Sequence, residues 1–180
     1  RACLDPRWSS TRSAALPHRK AVEHLRALLI ATAVLPPDPG RDLRGLDGSS
    51  RDPQDVVAVG PPALVPAKVE QVAINAVLAG CRPEYLPVVL TAVEAACTDA
   101  FNMHGLLATT WFAGPMVVVS GPIARDISMN DGLGALGQGN RANATIGRAL
   151  NLVVRNIGGG RPGGVDRATP RGLSALDPRR

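Results

Sequence analysis

A chain of 180 residues, 45% hydrophobic and 19% charged, has the make-up of one globular domain with residues to spare for tails. Aromatic residues make up only 3%, too few for the stacked rings that hold single-stranded nucleic acid. The formal charge of +5 does not signal a polyanion partner either, because residues 65–160 carry six basic and six acidic side chains and the excess falls in the two ends.

Cys3, Cys81 and Cys97 are an odd set without the close spacing of a zinc site or a disulfide framework, which favours a reducing, cytoplasmic setting. No apolar run approaches the roughly 18 residues of a membrane span. Residues 25–35 imitate a short secretory core behind Arg19 and Lys20, but Glu23, His24 and Arg26 break the pattern. Neither nucleic acid nor membrane is an expected partner.

Residues 1–17 are rich in Arg, Ser and Pro without period and read as a disordered lead-in. Residues 18–35 suit one helix, which Pro36-Pro37 would stop. Residues 36–63 hold six Pro and four Gly among charges, with Val56–Val59 the one apolar stretch, and read as a linker. The expectation is therefore an N-terminal arm over 1–63, a folded domain over 64–165 and a disordered basic tail over 166–180.

From Pro66 the texture changes. Val69, Val72, Ala73, Ala76 and Val77 mark one face of a helix, with Pro66 suited to its first turn and Gly80 to its end. Leu86, Val89, Leu90, Val93 and Cys97 mark a second, from about Glu84 to Ala96, with Pro87 in the opening turn where a missing N–H costs little. The two form a hairpin with Cys81 in its turn. Met116–Val119 is a continuous apolar run and predicts a strand buried on both faces, with Ala108–Phe112 a weaker strand. Residues 122–129 suit one helical turn, and 130–140 a glycine-rich loop. Ile146, Leu150, Val153, Val154 and Ile157 then mark an amphipathic helix from about Arg141, capped by Asn140 or Asn143 and ended by Gly158–Gly160. The fold class is α/β or α+β: a helix hairpin, a short sheet with a buried central strand, and a C-terminal amphipathic helix packed on it.

The densest chemistry is Cys81-Arg82-Pro83-Glu84-Tyr85. A thiol beside a guanidinium at a helix N-terminus has the setting that lowers a cysteine pKa and makes a nucleophile. Glu84 opposes that effect or pairs with Arg82, and Tyr85 can donate to an oxyanion. The same thiol is equally suited to filling a tight helix–helix turn. His104 is the one histidine within the patterned region, hence the conventional base available to Cys81. No further His, Cys or carboxylate stands at ligand spacing, so neither a metal nor a cofactor is expected.

Gly132-Leu133-Gly134-Ala135-Leu136-Gly137 spells G-x-G-x-x-G, but no strand leads directly into it and no acid stands about twenty residues on. A glycine loop running into a capped helix at Asn140–Asn143, with Arg141 in its first turn, does suit a phosphate or carboxylate. Arg141, Arg148 and Arg155 recur every seven residues along one side, which is either a solvated face or the wall of a pocket.

Several stretches together carry a resemblance: Ala73–Val89, His104-Gly105, Ala108–Thr110, Ser120–Ile123, Arg141–Ala149 and Gly158–Gly163. They are similar to the signature AINAVxAGCxPEYxPVV…RANATIGRA of an uncharacterised bacterial protein family, over a little more than half the chain. Ser120 stands where that signature has Asn, and Trp111 where it has His. The resemblance implies association with small thiol- or selenol-containing redox proteins of the UGSC type. It also implies a site at Cys81, Arg82, Glu84, Tyr85, His104, Asn130, Arg141, Asn143 and Arg148.

The leading expectation is a thiol-dependent cytosolic enzyme, or a subunit of one, acting on a small anionic molecule. Cys81, His104, Tyr85 and Glu84 would be catalytic; Arg82, Asn130, Arg141, Asn143 and Arg148 would bind the substrate. The alternatives are a non-catalytic binding or assembly module, docking to a protein partner or to its own copy, and a partial domain of a larger protein.

Overall fold

The computed structural model describes residues 40, 44–111, 113–137, 139–161 and 164–166. The lead-in 1–17, the helix expected over 18–35 and the tail beyond Asp166 lie outside the described residues. The fold mixes helices with a two-stranded antiparallel sheet.

The centre is helix α1, Val69–Ala79, in which every residue except Gln71 is buried. Its sequence predicts one apolar face, yet Ile74 and Leu78, off that stripe, are as hidden as Val72. A helix apolar on all sides must be covered on all sides. The cover comes partly from residues 44–60, which the sequence reading assigns to a linker. A Cβ placed on Gly45 would stand 2.7 Å from Val77 Cγ2, so this glycine lies directly on α1. Leu46, in the 3₁₀ turn Leu46–Gly48, is buried in the same core. Gly48 sits so close to the hairpin turn that an added Cβ would overlap the Pro83 carbonyl oxygen at 1.8 Å. The proline and glycine content that reads as slack is here the material of close packing.

Strand β1, Val56–Gly60, pairs with β2, Val65–Lys68, through the register Ala58↔Ala67, Val59↔Pro66 and Gly60↔Val65. Pro66 thus belongs to a strand and not to the first turn of α1. Lacking an N–H, it is tolerated in so short a ribbon. Helix α1 starts three residues later, where Lys68 N donates to Gln71 Oε1 at 3.0 Å, and where Val69 N and Glu70 N donate to the Asp55 and Pro53 carbonyls.

Helix α2, Leu86–Ala96, follows the 3₁₀ turn Pro83–Tyr85 and carries Pro87 in its first turn as expected. Helix α3, Met103–Ala108, takes in the first residue of the weaker strand expected over Ala108–Phe112, of which Thr109–Trp111 lie outside the sheet, and the side chain of Asn102 accepts from Gly105 N at its start. Helix α4, Pro122–Asp126, is the single short helix expected there. Helix α5, Arg141–Asn156, packs on α1 and α2 and buries Ala142, Ile146, Ala149, Leu150 and Val153. At its end Gly158 meets the β1–β2 turn: Ala63 N donates to the Gly158 carbonyl at 2.9 Å, and a Cβ there would stand 2.2 Å from Pro61 O. Across α1 and α5, the fully buried Asn75 donates to the Gln71 carbonyl at 2.8 Å and accepts from Asn156 Nδ2 at 2.7 Å.

The buried central strand expected at Met116–Ser120 is not in the sheet, whose two strands lie near residues 56–68. Residues 113–120 instead alternate strictly between half-buried and exposed, with Val117 and Val119 against the core and Met116 and Val118 outward. That period of two is the signature of an extended chain with one covered face.

Candidate functional site

Gly80 at φ +94° ends α1, and the bonds Gly80 N to Val77 O and Cys81 N to Ala76 O, both 2.9 Å, complete a Schellman motif. In that motif the residue after the glycine turns inward on the last helical turn. Cys81 occupies that place and is buried. It therefore belongs to the C-terminal end of α1, where the helix dipole disfavours an anion; α2 begins only at Leu86, beyond the 3₁₀ turn.

Burial pushes the Cys81 thiol up to about 11, although a hydrogen bond with Thr145 and the charge of Arg141 both act to lower it. At neutral pH the thiolate is then about one part in ten thousand. The expected depression of this pKa is reversed, because loss of water outweighs the single nearby cation.

Arg141 does fold back onto the turn. Its Nε donates to the Gly80 carbonyl at 2.9 Å, satisfying one of the orphan acceptors at the end of α1. Thr145, one turn further along α5, donates through Oγ1 to the Arg141 carbonyl at 2.8 Å and reaches Cys81. Thr145 was not anticipated; its signal was the i, i+4 spacing from Arg141, which puts both side chains on one face.

The other expected catalytic groups are dispersed. Arg82 and Glu84 are exposed and form no ion pair with each other, whereas Tyr85 is buried as part of the core. His104 is exposed on α3, and the groups acting on the thiol are Thr145 and Arg141. Arg148 is exposed, two turns along α5 from Arg141.

Asn130 and Asn143 meet, but as a brace. Asn143 Oδ1 accepts from Asn130 N at 3.0 Å, while its Nδ2 donates to the carbonyls of Asn130 at 2.8 Å and Ala135 at 2.9 Å. Asn130 uses its own side chain on Leu133 O and Gly132 N. Asn140 caps α5 by accepting from Asn143 N and donates to Ser128 O. Three amides so fix the glycine loop to the start of α5, leaving Leu133 and Leu136 at its exposed tip.

A second feature drew no attention in the sequence. Residues 115–120 and helix α2 enclose an apolar groove of about 490 Å³, lined among others by Val88, Ala92, Phe101, Val117, Val119 and Ile123, with Leu150 of α5 also in its wall. Along its rim Met116 and Val118 are 66% and 78% exposed, and, among the described residues, 114–120 make no hydrogen bond through their backbone. The sequence signal was the uninterrupted apolar run, read as burial instead of as an open edge.

Comparison with protein-family models, curated proteins and solved structures gives no match. Among the described residues no group of three His, Cys, Asp or Glu is placed to hold a metal ion, and no helix is long and apolar enough to cross a membrane.

Proposed function

We propose that this protein is a non-catalytic binding or assembly module whose working surface is the apolar groove between α2 and residues 115–120. One observation carries the reading: Met116 and Val118 stand exposed on a strand-like segment whose backbone donors and acceptors find no partner among the described residues. Apolar rims of this kind on otherwise well-packed proteins mark interaction surfaces. The Cys81 turn offers a contrast, since its thiol is buried and protonated, as do the asparagines at the start of α5, which are occupied in bracing the glycine loop. Nile red, a neutral apolar dye, tests the surface. It is expected to bind and to be excluded by Ala92→Trp, which fills the groove from α2, with iodoacetamide reacting at Cys81 about a hundredfold more slowly than after denaturation. Dye binding indifferent to Ala92→Trp, together with a fast thiol, overturns the proposal.

A second reading, a thiol-dependent enzyme acting on a small carboxylate or phosphate, is supported by the placing of Arg141 and Thr145 at Cys81. It requires the thiol to lose its proton in a ligand-bound state, so iodoacetamide labelling of Cys81 should then accelerate when phosphate or acetate is added.

A further inference from the structure

We draw no further inference here: the strongest candidate, the apolar groove between α2 and residues 115–120, belongs to the surface already described, and nothing in the structure shows what covers its open edge.

Discussion

The Cys81 turn and the 113–120 segment are opposites. The turn gathers a thiol, a guanidinium, a carboxylate and a phenol within five residues; its thiol and the Gly80 carbonyl find partners in Thr145 and Arg141, its phenol is buried, and its guanidinium and carboxylate face solvent. The segment contains nothing that ionises, and among the described residues the backbone groups of 114–120 find no hydrogen-bond partner and Met116 and Val118 stand exposed. Reactive residue types therefore did not locate the open surface. Unmet bonding and unburied apolar area did, because these are what a folded chain keeps only where something else supplies the remainder.

If that contrast is right, disturbing the satisfied side should cost stability and disturbing the open side should not. The largest effect is expected for Asn143→Ala, which removes three hydrogen bonds holding the glycine loop. At about 1 kcal/mol each, the loss in urea unfolding should be about 3 kcal/mol. The pH dependence follows from Cys81. Its folded pKa lies above the 9.0 of a free thiol, so the folded state holds the proton more tightly. Stability is then complete below about pH 9 and falls as the pH rises toward 11, by about 2–3 kcal/mol. Burial also raises the pKa of Cys97, which acts in the same direction. Denaturant midpoints at pH 8 and pH 10.5 for the parent and Cys81→Ala check this, with the variant expected to show the shallower decline. Gly80→Ala forces a side chain into φ +94°, with a cost of about 1 kcal/mol readable as a lowered Tm. Val118→Lys should sit at the bottom of the series, within about 0.5 kcal/mol when measured on dilute protein. A large loss there would mean that the segment is a structural part of the single chain, and the contrast would fail.

How far the sequence revealed all this depended on which element was being read. Helices α1, α2 and α5 were legible because each carries its own periodicity and stop signals, such as Gly80 after α1 and Gly158 after α5. The β1–β2 ribbon was not. Its strands are five and four residues long and joined through Pro61-Pro62, and the stretch before it packs through Gly45 against Val77 of α1 and through Gly48 against the Pro83 carbonyl. No local pattern encodes an approach across thirty residues. Met116–Val119 failed for a different reason. A continuous apolar run states what each residue prefers, not how many neighbours the fold supplies, and here the fold supplies them on one face only. At the site, the seven-residue recurrence of Arg141, Arg148 and Arg155 left a solvated face and a pocket wall equally open, and Arg141 alone bonds back to the Cys81 turn while Arg148 is exposed. The thiol's acidity was expected to rise with a neighbouring guanidinium, but burial of Cys81 at the end of α1 outweighs the charge of Arg141 and the Thr145 hydrogen bond.

The amide pair joining Asn75 to Asn156 has a consequence of another kind. Helices α1 and α5 meet largely through Ala, Val, Leu and Ile, surfaces smooth enough for one helix to slide or rotate past the other at small penalty. A slip by one turn would separate the two amides and leave Asn75, which has no access to water, with an acceptor facing hydrocarbon. That penalty is about 1–3 kcal/mol and applies to every misaligned packing but not to the correct one. The pair so behaves as a locating pin, setting the position of α5 along α1 and with it the seat of Arg141 at one end and of Gly158 at the other.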